Sequence, residues 1–474
     1  MQRRLLLFIG SKDFMIFSSL LFLFRFIPVF FIIYYLAPFK LKNTVLLIGS
    51  IIFYAWGEPK FLILIVISIL VNYACGLLID FIRKKSKHSG LCTLVLVVAV
   101  LYDLGALFVF KYTNFFIENI NRIAGTDIKA VELVLPLGIS FYTFQIMSYV
   151  IDLYKGKIAV EKSPVILGTY LSMFPQLIAG PIVVYSDVSE KLHERRITLK
   201  DVEEGISVFI LGLGSKVIIA NNVGMLWDDI TAIGYENISA GTAWLGVLAF
   251  SLQIYFDFNG YSLMAIGLGK MLGFEFPRNF NFPYISRSLT EFWRRWHITL
   301  STWFREYVYI PLGGNRKGRI RTYVNLFAVW FLTGFWHGAG WNFIFWGLFF
   351  FIMLSIEKTG LKKFLDKHVL VSHIYSVVLI GLSWMIFAIT DINALGVFFT
   401  KLIAFGSDLP AVYFVRNYLV VLILGCVLST PAFKRIYEKY KKGPAGTVAL
   451  ITILIVSVAY LTDATYNPFL YFRF

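Results

Sequence analysis

The chain has 474 residues, of which 58% are hydrophobic and 15% charged, with a mean hydropathy of +0.73. Ordinary soluble chains carry about 25% charged residues, so this composition excludes disorder and a collagen-like repeat and argues against a soluble enzyme. Lys and Arg number 44 against 28 Asp and Glu, a net +16; in a membrane protein such an excess marks cytoplasmic loops before it marks nucleic acid.

Long apolar runs lie at about 16–36, 44–57, 61–81, 91–112, 136–153, 164–181, 204–220, 239–257, 322–337, 341–357, 372–390, 413–430 and 445–462. None alternates apolar with polar residues, so all are expected to be helices rather than barrel strands. A crossing helix needs about 20 apolar residues, which makes the chain an all-α, multi-pass membrane protein. The runs at 44–57 and 164–181 are short or interrupted, the latter by Pro175, Gly180 and Pro181, and are expected to be tilted, broken or re-entrant. Basic clusters at 83–87, 358–367 and 434–442 are expected in the cytoplasm, which places both chain ends outside. Residues 1–14 read as an extension or interfacial segment before a second methionine, Met15, and residues 15–474 as a single transmembrane domain. Cys75, Cys92 and Cys426 have no paired spacing and indicate neither a disulfide framework nor a metal site.

The least apolar stretch, about 273–322, lies well inside the chain. From 287 to 321 it holds eight basic residues, Arg287, Arg294, Arg295, Arg305, Arg316, Lys317, Arg319 and Arg321, against Glu291 and Glu306. Ser288 or Thr290 is placed to cap a helix over 291–310, on which Trp293, Trp296, Leu300, Trp303 and Phe304 recur at helical spacing. Such a basic, aromatic helix suits a membrane surface. Its arginines suit lipid headgroups and a phosphorylated substrate equally well.

Of six histidines, His88, His193, His368 and His373 sit in polar loops or at the edge of a run and read as solvated or interfacial. His297 ends the string Glu291-Phe292-Trp293-Arg294-Arg295-Trp296-His297. His337 lies between two apolar runs, in Gly334-Phe335-Trp336-His337-Gly338-Ala339-Gly340-Trp341-Asn342. An ionisable side chain at membrane depth is a functional candidate, against the alternative of a packed histidine in a small-residue seam. Asp257 and Asn259, at the end of another run, are placed to orient a histidine, line a polar path or bond a helix end.

At these residues the sequence resembles the membrane-bound O-acyltransferase (MBOAT) family, in its bacterial branch of polysaccharide O-acetylases. The matching strings are Leu135-Pro136-Leu137-Gly138-Ile139-Ser140-Phe141-Tyr142, Phe174-Pro175-Gln176-Leu177-Ile178-Ala179-Gly180-Pro181, Tyr255-Phe256-Asp257-Phe258-Asn259-Gly260-Tyr261-Ser262, the Glu291–His297 string, Tyr309-Ile310-Pro311-Leu312-Gly313-Gly314-Asn315-Arg316 and Gly334–Gly338. Leu263 stands where the family pattern has an acid after Gly-Tyr-Ser. The resemblance implies a ring of about 11 transmembrane helices, each of bilayer-spanning length, with re-entrant and interfacial helices around a central tunnel. It implies catalytic roles for His337 and His297. Asp257, Asn259, Trp336, Gly338 and Asn342 would line or support the tunnel, with Asn342 a candidate oxyanion donor. The phosphates of acetyl-CoA, the expected donor substrate, would meet Arg294, Arg295, Arg305, Arg316 and Lys317; no permanent cofactor or metal is expected. The acceptor would be an extracytoplasmic polysaccharide, reached with an extracellular SGNH-type acyltransferase as partner, and the location the cell membrane. D-Alanyl transfer to teichoic acid from a carrier-protein thioester is the neighbouring alternative. A glycan or lipid transporter is the alternative of another class, and the inverted repeats it predicts are not seen.

Overall fold

A computed structural model describes residues 15–85, 89–178, 180–404, 406, 408–463, 466–467 and 470. The expectations for residues 1–14, for His88 and for the last four residues lie outside them. Every apolar run forms helix, and no strand occurs among the described residues. Among the described residues seven helices are long and apolar enough to cross a membrane: Pro59–Lys85, Gly90–Ala124, Leu199–Ile233, Trp341–Lys367, Val369–Ala388, Leu409–Leu428 and Pro444–Asp463. Side chains such as Leu101, Ile123, Val420 and Ile455 are exposed on them, as lipid-facing residues of a multi-pass protein are.

The chain divides into two compact units. The first holds residues 1–209 and 264–277. Its helices include α1 (Ile27–Leu36), α2 (Phe39–Gly57), α3 (Leu62–Lys85), α4 (Ser89–Ala124), α5 (Ile139–Tyr154) and α6 (Pro164–Ser172). The run at 44–57 belongs to the unbroken 19-residue α2. The run at 164–181 is broken: α6 stops at Ser172 and a single turn, Phe174–Leu177, follows. Its interruption brings backbone close to backbone, since a Cβ on Gly138 would fall 2.4 Å from the Leu177 carbonyl oxygen. The core of this unit contains a cluster of phenyl rings, Phe17, Phe22, Phe26, Phe30, Phe53 and Phe174, with Phe17–Phe22 centroids 4.9 Å apart and Phe30–Phe174, edge to face, 5.1 Å. Arg195 ties the edge together through Tyr34 Oη, 3.0 Å, and Asn43 Oδ1, 2.7 Å.

The second unit holds residues 210–263 and 278–474. The chain reaches it along α7 (Leu199–Ile233) and leaves it along α8 (Ala240–Met271). Its later helices include α9 (Leu289–Arg295), α10 (Ile298–Phe304), α11 (Arg319–His337), α12 (Trp341–Ile356), α13 (Val369–Ala388), α14 (Leu409–Leu428), α15 (Pro431–Tyr440) and α16 (Pro444–Asp463). α11 and α12 form an antiparallel hairpin through Gly338–Gly340. They approach across Gly334 and Gly347, whose Cα atoms leave no room for side chains: a Cβ at Gly334 would lie 2.3 Å from the Phe343 carbonyl oxygen, and one at Gly347 2.4 Å from that of Trp330. This is the small-residue seam that lets membrane helices pack by contact alone.

The polar insert departs from the expected single helix over 291–310. Ser288 Oγ caps α9 by accepting from Glu291 N at 3.1 Å, but the helix stops at Arg295. His297, at φ 42°, turns the chain before α10 begins. The break is held by pairing with the preceding loop: Asn281 N donates to Arg295 O and Ile298 N to Asn279 O, each at 2.9 Å. Helical spacing of the aromatic residues survives in the two pieces, which is why the periodicity read as one helix.

Candidate active site

The break at His297 and the hairpin at His337 meet at one cavity of the second unit. It is lined by Ile254, Asp257, Phe258, Trp296, His297, His337, Trp346, Trp384, Phe387 and Leu470. His337 is the last residue of α11, where Gly338 turns extended. A Cβ at Gly338 would strike the Phe343 ring at 2.1 Å, so a glycine is needed for the hairpin that presents the imidazole. The His337 ring lies 5.1 Å from Trp346 and 5.3 Å from Phe387, each nearly perpendicular to it. Trp336 sits against both histidines, its ring 5.0 Å from His337 and 6.4 Å from His297.

His297 is wholly buried, with Phe258 edge-on at 4.7 Å. Its Nδ1 is 3.0 Å from Asn279 Oδ1. That oxygen also accepts from Thr299 N at 3.3 Å and Thr299 Oγ1 at 3.0 Å. A backbone N–H can only donate, so it fixes which end of the Asn279 amide faces this way. Nδ1 therefore carries the hydrogen of the neutral ring and Nε2 is its acceptor atom. Burial pushes the His297 pKa down to about 3, so the ring is neutral at physiological pH. Asn279 thus sets the tautomer of His297.

Asp257 lines the same cavity and is 2% exposed. Its carboxylate pairs with Lys216 Nζ at 2.6 Å and accepts from Leu470 N at 2.9 Å. Lys216 is itself 1% exposed and also donates to Asn221 Oδ1 at 2.8 Å. It stands on a π-helical stretch of α7, Ser215–Ala220, and α8 reaches it because Gly260 has no side chain: a Cβ there would lie 3.0 Å from Lys216 N. Of the uses open to Asp257, the structure has it bonding a buried cation and a backbone amide beside the cavity.

The remaining expected residues are dispersed. Asn342 is buried, and its amide donates to Phe387 O at 2.9 Å; it anchors the end of α13 and is not among the cavity lining. Asn259 is half-buried and also outside the lining. Arg294, Arg305, Arg316 and Lys317 are exposed, with Arg305 paired to Glu306 at 3.1 Å. Arg295 is bound to Glu291 at 2.8 Å and to Asn281 O at 3.1 Å. It faces a second, open groove, lined also by Asn281, Phe282, Ile285, Pro431, Lys434, Arg435 and Glu438. Burial, with a smaller contribution from Arg278, lowers the Lys434 pKa from its usual value. Among the described residues no group of three or more His, Cys, Asp or Glu is arranged to hold a metal.

Several contributors escaped the sequence. Lys216 carried a signal, as the one charged residue between Glu204 and Asp228, a rarity inside a span. Glu357 holds α9 in place, its carboxylate accepting from Leu289 N at 2.6 Å and Thr290 N at 2.9 Å. Asn279 and Trp384 had no signal apart from their surroundings.

Two histidines, a buried ion pair and an indole-lined cavity thus lie together inside a helical membrane protein. The model of the MBOAT, membrane-bound O-acyltransferase family matches residues 163–397. A probable alginate O-acetylase AlgI of Pseudomonas putida is 37% identical over 97% of this chain and 100% of its own length. A peptidoglycan O-acetyltransferase of Helicobacter pylori is 37% identical over 73% of the chain and 70% of its own. A teichoic acid D-alanyltransferase of Streptococcus thermophilus is 30% identical over 48% of the chain and 58% of its own. The chain belongs to the membrane-bound O-acyltransferase family and is a membrane O-acyltransferase.

Proposed function

We propose that this enzyme transfers an acetyl or other short acyl group from cytoplasmic acyl-CoA to a hydroxyl acceptor, for O-acetylation of an extracytoplasmic polysaccharide. The observation that carries this reading is the convergence of His297 and His337 on one aromatic cavity. His337 acts as the base that takes the proton of the attacking hydroxyl and returns it to the departing thiolate. His297, a neutral acceptor at Nε2, positions the reacting hydroxyl. The donor's phosphates rest in the groove of Arg295, Lys434 and Arg435, three cations suited to that charge. Lys434 and Arg435 belong to the basic cluster at 434–442, which the excess of Lys and Arg in cytoplasmic loops assigns to the donor's side. Of the five arginines and lysines expected to hold the donor, only Arg295 lines this groove. An extracytoplasmic SGNH-type acyltransferase is proposed as the partner that completes transfer to the polymer.

The test is turnover by the purified protein in detergent with radiolabelled acetyl-CoA, following thiol release and label transfer. The parent is expected to react, and His337→Ala to lose about 10²- to 10⁴-fold in rate, the range of a general base, while staying folded. A parent inert with acetyl-CoA but active with an aminoacyl carrier-protein thioester would replace this reading with D-alanyl transfer.

A further inference from the structure

Attack on a thioester puts negative charge on the carbonyl oxygen, and the cavity needs a donor to meet it. The donors that flank the cavity are mostly spoken for. Trp384 Nε1 donates to Tyr284 Oη at 3.2 Å, Asn342 to Phe387 O at 2.9 Å and Leu470 N to Asp257 at 2.9 Å. Trp346 differs. It lines the cavity, is 1% exposed, and its indole N–H is buried with no acceptor among the described residues. An indole N–H can only donate, and leaving one buried and unmatched is costly. Its surroundings are rings: Trp293 at 5.6 Å, Phe350 at 5.1 Å, Phe387 at 5.3 Å and, nearly perpendicular, His337 at 5.1 Å. Trp293 offers an internal contrast, because its indole N–H is also buried without an acceptor but the residue does not line the cavity.

We infer that Trp346 is the oxyanion donor of this enzyme, its Nε1–H meeting the acyl carbonyl oxygen beside His337. In the step itself the acceptor oxygen bonds to the acyl carbon while its proton passes to His337. The carbonyl π pair moves onto oxygen, where Trp346 donates to it. The C–S bond then breaks, its electron pair leaves with sulfur, and the thiolate takes the proton back from His337. Asn342, the sequence's candidate for this post, does not line the cavity and spends one N–H on Phe387 O.

The inference rests on the acyl-transfer reading above, and its test separates the two. Trp346 is replaced by Phe, and separately by 3-benzothienylalanine, which keeps the two-ring shape but has sulfur in place of N–H. Each is assayed with acetyl-CoA beside the parent, His337→Ala and Trp293→Phe, and thermal unfolding is recorded for all. The expected result is a fall of about 10²- to 10³-fold in kcat for both Trp346 variants, with KM within about threefold, unfolding of the benzothienyl variant unchanged, and Trp293→Phe near the parent rate. A benzothienyl variant that keeps kcat within tenfold while His337→Ala is dead overturns the role of Trp346 and leaves the acyltransferase reading standing. A parent inert with every thioester sinks that reading instead.

Discussion

The two units each bury a cluster of aromatic rings, and the clusters differ in one chemical respect. Around Phe174 the rings are phenyl, with nothing to donate or accept. Around His337, beside the phenyl ring of Phe387, they include indoles and imidazole: Trp336 and Trp346 against it, and Trp384 and His297 one ring further. The packing distances are alike, Phe17–Phe22 at 4.9 Å and Trp336–His337 at 5.0 Å. Ring stacking alone therefore does not mark a site. What marks it is the N–H and the lone pair carried into an apolar interior, where an unmatched polar group is costly unless something is brought to meet it.

The largest effect expected from breaking this contrast is the loss of about 10²- to 10⁴-fold in turnover for His337→Ala, read by thiol release. Next is Asn279→Leu. It removes the acceptor that fixes the His297 tautomer, and turnover is expected to fall about 10- to 100-fold through misplacement of the ring; Asn279→Asp, which keeps the acceptor oxygen, should recover part of the loss. Lys216→Met strands Asp257 as a buried charge beside the cavity and is expected to destabilise the protein by about 3–5 kcal/mol. Adding Asp257→Leu should restore much of that stability in a thermal unfolding assay without restoring activity. In the phenyl cluster, Phe53→Leu is expected to cost about 1 kcal/mol and leave turnover per folded molecule unchanged. A large loss of kcat there would mean that the two clusters are not chemically distinct in function.

A smaller effect follows from the depressed pKa of His297. The unfolded chain takes up a proton near pH 6.5 that the folded ring, with a pKa of about 3, refuses. Stability is thus full above about pH 6.5 and declines as pH falls from there toward 3. His297→Gln should flatten this slope in unfolding midpoints measured between pH 7 and 5.

The helices were legible because bilayer-spanning runs are long and apolar, and the two histidines because their neighbours interrupt such runs. The breaks were harder. Nothing local in Trp296-His297-Ile298 ends a helix, and the stop depends on Asn279 and Asn281 arriving from a separate loop. Asn342 looked available because its donor capacity was visible and its partner, the Phe387 carbonyl on α13, was not. The arginines between 294 and 316 formed one basic stretch in sequence. In space only Arg295 turns toward Lys434 and Arg435, a pairing across more than a hundred residues that no periodicity encodes.

His297 holds a left-handed backbone at φ 42°, a conformation that costs a non-glycine residue of order 1–3 kcal/mol. Folding and chemistry therefore ask for different amino acids at this position. A laboratory selection for heat tolerance alone would drift there toward glycine or asparagine, which accept that backbone readily, and, on the role proposed for His297, would enrich sturdier but silent enzymes. Only a selection that also scores the modified product would keep the imidazole, so stabilisation campaigns on this scaffold should hold position 297 fixed from the start.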